Sequence, residues 1–275
     1  MEVVVLGSGT PNPDPARAGS AVAVVDGSAW VLVDCGRAAT QRALEAGLDL
    51  AALAAVFLTH HHSDHISDLP TLAMARWTGG ATTPLLVVAP RGPSARFARE
   101  CLDGFEDESF FSQARPQCGP RPTVEVADFA ALASPSVVWW SDGWTVSSAL
   151  VDHHPIDAAV GYRVERVGAR VAVSGDTAVC DGIRSLATDV DVLVHETLLE
   201  ARSRPATLAW NAGAVSVGAL AADVRPGVLV LNHLLPAPST PDEEQSFVAE
   251  VRAGGFTGEV VVARDLLRIP LVDPA

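Results

Sequence analysis

The sequence predicts an α/β fold, an αββα sandwich in which two mixed sheets pack face to face and helices cover both outer faces. Three observations predict it. Apolar, β-branched runs come in two batches, and each batch is followed by helix-like segments. Several of these runs end in a cluster of polar residues, as strands do at the rim of a sheet. No segment recurs at a fixed period, which sets solenoids and propellers aside. With 275 residues the chain can bury a sizeable core, and residues 1–275 read as one domain.

The first batch holds Val3 to Leu6, Ala21 to Val25 and Trp30 to Val33, separated by Gly, Pro and Asp turns. A helix is expected from Ala38 to Ala46, stopping at Gly47. Ala54 to Leu58 reads as a buried strand. Helices over Leu69 to Trp77 and Ser94 to Leu102 flank the strand Leu85 to Val88. The stretch 103–122 is acidic and rich in Phe and Pro, and is expected to form a lid or insert carrying Phe105, Phe110 and Phe111. The second batch runs through Val124 to Val126, Thr145 to Val151, Ala159 to Glu165, Arg170 to Val173 and Asp191 to Val194. Helices over Ala212 to Asp223 and Asp242 to Val251 bracket the strand Val228 to Leu231, and strands at Val260 to Ala263 and Leu267 to Ile269 close the chain.

Composition narrows the function classes. A net charge of -14, with no run of basic residues, disfavours a polyanionic partner. The chain opens directly into an apolar strand, so no secretion signal is expected, and no apolar stretch approaches a membrane span. Cys35, Cys101, Cys118 and Cys180 lack C-x-x-C spacing and read as reduced thiols of a cytoplasmic protein.

The chemistry concentrates in Thr59-His60-His61-His62-Ser63-Asp64-His65, at the end of the buried run Ala54 to Leu58. Three imidazoles and a carboxylate at a strand end offer the ligand types that zinc and similar ions prefer. A tag would sit at a terminus, without the Asp and without a strand leading in. Three more clusters stand at strand ends: Asp152-His153-His154, Ser174-Gly175-Asp176-Thr177 and Asn232-His233. Singly, each reads equally well as a rim histidine or a turn-capping Asp. Together with the first cluster they supply five His and two Asp, which suits two metal ions bridged by a carboxylate.

These motifs resemble the metallo-β-lactamase fold superfamily, in the branch that contains ribonuclease Z and the arylsulfatase-like and phosphodiesterase-like hydrolases. The resemblance runs nearly end to end, through Leu6-Gly7-Ser8-Gly9-Thr10-Pro11, Leu32-Val33-Asp34-Cys35-Gly36, the histidine run, Gly161-Tyr162-Arg163, His195-Glu196-Thr197 and His233. It implies that His60, His62 and His153 hold one metal, that Asp64, His65 and His233 hold the other, and that Asp176 bridges them. His153 is taken over His154 from the Val-Asp-His register of the branch. His61 falls on the non-ligand position. Asp34 matches a position that supports the ligands. The implied cofactors are two divalent ions, zinc first, with manganese or iron as alternatives.

The same resemblance implies a hydrolase in which a metal-bridging hydroxide attacks an ester, with Asp64 orienting it. His195 and Glu196 take a place near the substrate or behind the metal ligands, with His195 as the catalytic candidate. Where ribonuclease Z has a histidine that aids the leaving group, this chain has Asn211, which can donate a hydrogen bond but supplies no proton; its other reading is an N-cap for the Ala212 helix. Bacterial ribonuclease Z carries a long tRNA-gripping arm before the bridging Asp, whereas only 23 residues separate His153 from Asp176 here. The expected substrate is therefore a small-molecule phosphodiester or sulfate ester, with tRNA disfavoured and a homodimer allowed. A lactonase or thioesterase, and a non-catalytic metal-binding protein, are the competing readings. Trp77 and Trp210 are further candidates to line the pocket.

Overall fold

Neighbouring residues along the central strands go to different cores. In β1 (Glu2–Gly7), Val3 and Val5 enter the core between the sheets, while Val4 and Leu6 face an outer core roofed by helices. Strands apolar on both faces have to be covered on both, and this sets the layers. The computed structural model describes residues 1–105 and 121–271.

Among these residues the strands form two sheets of seven. The first runs β14 (Leu267–Pro270), β1, β2 (Ala21–Asp26), β3 (Ala29–Val33), β4 (Leu53–Phe57), β5 (Leu85–Pro90) and β6 (Val124–Phe129). The second runs β13 (Glu259–Val262), β12 (Val228–Leu235), β11 (Val192–Leu198), β10 (Ala169–Val173), β9 (Val160–Arg166), β8 (Trp144–Leu150) and β7 (Ser136–Ser141). Helices Ala39–Glu45 and Leu69–Thr78 pack on the outside of the first sheet, and Asp181–Ala187, Ala214–Val224 and Pro241–Ala253 on the outside of the second. Between the sheets lies a Val-rich core that includes Phe57, Trp144 and Tyr162. No helix among the described residues is long and apolar enough to cross a membrane.

Two features of this frame place the site. The neighbours β3 to β6 are parallel, as are β10 to β13, so the carboxyl ends of each set gather at one rim. At that rim the sheets are stitched together. The Tyr162 hydroxyl donates to the Leu58 carbonyl at 2.7 Å, and the Val160 N–H to the Thr59 carbonyl at 3.1 Å, one residue before His60.

The αββα layering agrees with the sequence reading, and the local differences are instructive. Strand β7 was not expected. A bulge between Val137 and Trp139 turns Val138 and Trp139 inward together, with Trp139 edge-on to Phe57 at 5.5 Å, while Val137 and Trp140 lie exposed. That double inward step breaks the alternation by which a strand is recognised. The seven-residue helix Asp181–Ala187 was also unforeseen. Finally, the helix expected from Ala212 begins at Ala214, because the Ala212 carbonyl accepts the Leu198 N–H at 2.8 Å and Gly213 still bridges to β11. Gly213, not Asn211, occupies the N-cap. Most of the expected lid, with Phe110 and Phe111, lies outside the described residues.

Candidate metal centre

The loop after β4 carries the histidine run, and two close approaches hold it. A Cβ on Gly36 would stand 1.9 Å from the Asp64 carbonyl oxygen, so only glycine lets the two loops cross. Gly175, at φ +62°, lies so close that a Cβ would meet Thr59 at 2.9 Å. It brings the Asp176 loop of the second sheet against the histidine loop of the first.

The structure brings seven predicted residues together in two groups. His60, His62, His153 and Asp176 offer ligand atoms within 4.8 Å of one another, and so do Asp64, His65 and His233. Asp176 links the groups: its Oδ2 lies 3.9 Å from Nε2 of both His60 and His153, and its Oδ1 lies 3.2 Å from His65 Nε2 and 3.6 Å from His233 Nε2. His153 is the member of its pair that is buried and inside; His154 is exposed. His61 stands outside both groups, and burial together with nearby Arg96 lowers its basicity.

Asp34 sets the tautomers of two of these rings. At φ +61°, a conformation Asp tolerates, it accepts from His65 Nδ1 at 2.7 Å. It also accepts the Thr59 N–H at 2.8 Å and the Thr59 hydroxyl at 2.9 Å. A carboxylate only accepts, so His65 Nδ1 carries the hydrogen and Nε2 presents its lone pair inward. The Thr59 hydroxyl, donating to Asp34, in turn accepts from His60 Nδ1 at 3.0 Å, so His60 Nε2 also faces inward as a lone pair. On the opposite wall, His153 Nδ1 lies 3.1 Å from the Trp210 carbonyl, which fixes that ring in the same sense.

Among the described residues, buried His60 Nε2 has no hydrogen-bond partner, and buried His65 Nε2 and Asp176 Oδ1 face only each other, at 3.2 Å. Orphaned lone pairs converging from imidazoles and a carboxylate fit a divalent cation. The electrostatics agree. Burial opposes ionisation of Asp176, yet His233, His65 and His60 outweigh it and hold the carboxyl well below its usual range. Burial likewise opposes a charge on His65, but Asp176 and Asp34 overcome it and push the ring well up. The site thus demands positive charge, which a proton or a metal ion can supply.

Two sequence-predicted residues stand elsewhere. On β11 alternate residues face alternate sides: Val192 and Val194 enter the inter-sheet core, and Leu193 the helix-side core. By the same alternation His195 turns to the helix side. It is fully buried with Nδ1 on the Glu196 carbonyl at 2.7 Å, and burial lowers its pKa to about 4. The neighbour Glu196 turns to the site instead, its Oε2 3.9 Å from His233 Nδ1, and forms a third group with Asp176 and His233. Burial and the adjacent Asp176 push its carboxyl well up. The two-residue strand period was the signal that could have preferred Glu196. The Asn211 side chain is spent on the Thr207 carbonyl at 3.0 Å; its neighbour Trp210 reaches the centre through the main chain.

Known proteins with the same sequence pattern settle the lineage. The β-lactamase superfamily domain matches residues 29–234. The chain belongs to the metallo-β-lactamase superfamily. It is 33% identical over 280 residues to ribonuclease Z of Mycobacterium bovis, covering 98% of each chain, and 33% identical over 287 residues to ribonuclease Z of Mycolicibacterium paratuberculosis, covering 100% of each. Among solved structures it is similar to YhfI of Bacillus subtilis (TM-score 0.74, 22% identity, 98% of both chains) and to human tRNase Z, short form (TM-score 0.71, 21% identity, 98% of both chains).

As a member of this superfamily the protein is a metal-dependent hydrolase of ester bonds. The relatives overturn the expectation of a small-molecule substrate with tRNA disfavoured. The alignment to the Mycobacterium bovis ribonuclease Z leaves room for only about ten residues that this chain lacks, so a long arm is no requirement for that name. Net charge was the other ground, and it is a sum over the whole surface that does not describe the field at one site.

Proposed function

We propose that this metallo-β-lactamase-fold hydrolase is a dinuclear-metal phosphodiesterase that cleaves RNA, with tRNA-containing transcripts as substrates. The observation that carries the reading is the pair of ligand groups with Asp176 within 3.9 Å of histidines of both, in a chain alignable end to end with ribonuclease Z. In this reading His60, His62 and His153 hold one ion, Asp64, His65 and His233 hold the other, and Asp176 touches both. Imidazole and carboxylate donors without a thiolate suit zinc, and also manganese or iron. Two such ions would polarise a phosphoryl oxygen and lower the pKa of water to about 7.

The chain's own residues prepare that chemistry. Asp34 and Thr59 fix His60 and His65 in the ligating tautomer, and the Trp210 carbonyl does the same for His153. Asp64 Oδ2 lies 3.1 Å from His233 Nε2, and despite its burial that contact and His65 hold it ionised. It is thereby kept an ionised acceptor, able to hold an ion and to orient the attacking water. Asn211, tied to Thr207, leaves the leaving oxygen without a protonating imidazole from this position.

The test is cleavage of a tRNA-containing transcript by the metal-loaded protein, with bis-p-nitrophenyl phosphate as a chemical control. Cleavage of both, abolished in Asp64→Asn, is the expected result. Turnover of the aryl diester alone would exclude RNA as the substrate.

A further inference from the structure

At the far end of the first sheet two arginines, Arg76 and Arg121, border one depression. Arg76, on the helix Leu69–Thr78, is only 4% exposed. Its Nη1 donates to the carbonyls of Leu50 and Leu53, and its Nη2 lies 3.4 Å from the Thr83 hydroxyl. Its Nε has no acceptor among the described residues. No carboxylate among the described residues forms an ion pair with it; Asp49 acts on it only from a distance. Buried charges are ordinarily paired, so a guanidinium held this way is costly unless something answers it.

Arg76 lines a depression of about 290 Å³ together with Arg121, Thr82, Thr83, Thr123 and Trp77. Among the described residues no Asp or Glu lines it, in a chain whose net charge is -14. Three other depressions of comparable size each carry at least one carboxylate, namely Asp14, Asp49 or Glu200, and the one with Asp49 is also bordered by Arg76. The unpartnered Nε shares an edge of the guanidinium with Nη2, which holds only the long contact to Thr83, and this is one of the edges with which arginine grips an oxyanion through two parallel hydrogen bonds. The threonine hydroxyls add neutral donors. Two guanidinium charges match a phosphate monoester, which carries about −1.5 to −2 at neutral pH.

We propose that this depression is a phosphate-binding site, holding inorganic phosphate or the terminal phosphate of a nucleotide between Arg76 and Arg121. It is separate from the metal centre. Leu85 and Thr123 stand at the amino ends of β5 and β6, which run parallel to β4, whereas the histidine run follows the carboxyl end of β4. A strand of this length sets the two apart by about 20 Å. The site depends on no part of the nuclease reading.

The test follows the Arg76 Nε–H resonance in proton–nitrogen spectra of the metal-loaded, full-length protein. Inorganic phosphate should shift it saturably, and Arg121→Ala should weaken that binding about tenfold or more. Arg121 is exposed, so the variant is expected to fold and to keep its turnover in phosphate-free buffer. Adenosine monophosphate is the second arm: tighter binding than phosphate identifies a nucleotide as the source, and equal binding identifies phosphate itself. An Arg76 resonance that stays still while phosphate binds at the metals would overturn the proposal. So would an affinity indifferent to Arg121→Ala.

Discussion

The two walls of the metal centre hold their histidines by different means. On the first sheet a side chain does it: Asp34 grips His65 directly and His60 through the Thr59 hydroxyl, so one carboxylate sets a ring in each ligand group. On the second sheet His153 rests on a main-chain carbonyl, that of Trp210, and His233 Nδ1 has no hydrogen-bond partner among the described residues, with Glu196 3.9 Å away. A charged acceptor raises the basicity of the ring it holds and can be removed by one substitution. A carbonyl cannot be substituted away, but it moves with its loop. The first wall should therefore fail sharply, and the second gradually.

Substitution at Asp34 probes the first wall and should have the largest effect. Asp34→Ala frees His65 Nδ1 and the Thr59 hydroxyl together, so affinity should drop by about 10- to 100-fold for both ions, measured by competition with a chelator. A loss confined to one ion would break the comparison.

The next prediction contrasts the two faces of β11. His195 is buried neutral on the helix side with a pKa near 4, whereas the unfolded chain titrates at its ordinary value. Below pH 6.5 the unfolded chain takes up a proton that the folded chain refuses. Stability is therefore complete above pH 6.5 and falls toward pH 4, by about 3 kcal/mol from this one group. Denaturant titrations should show that slope in the wild type and its loss in His195→Asn.

Asn211→Ala sharpens the second wall. It releases the Thr207 carbonyl next to the Trp210 support of His153, and a single hydrogen bond of about 1 kcal/mol corresponds to about fivefold in affinity. That loss should appear for one ion only, and the nitrogen shifts of His153 should show a mixed tautomer. The smallest effect lies outside both walls. Thr240 caps the helix Pro241–Ala253 by accepting the Glu243 N–H at 3.3 Å. Thr240→Ala should cost about 1 kcal/mol in stability and leave metal content unchanged.

The legible parts of this molecule were those where one residue type carries one physical instruction. The histidine run after a buried apolar strand pointed to a rim of ligands, and two batches of apolar runs, each followed by helices, pointed to stacked layers. What stayed hidden depended on direction. Nothing local to His195-Glu196 says which of the pair faces the ligands; the placement of Val192 and Val194 decides it. Trp210 contributes a carbonyl, which every residue owns, so its side chain gave no clue. Strand β7 escaped because its bulge turns two neighbours the same way. Arg76 was invisible for the opposite reason: one arginine in a helix looks exposed until the carbonyls of Leu50 and Leu53 are seen to close over it.

The central claim is that Asp176 belongs to both ligand groups, and counting metal ions per chain after dialysis tests it most directly. The account predicts two ions in the wild type, one in His153→Ala and none in Asp176→Ala, with all three proteins folded. Two ions retained in Asp176→Ala would contradict it.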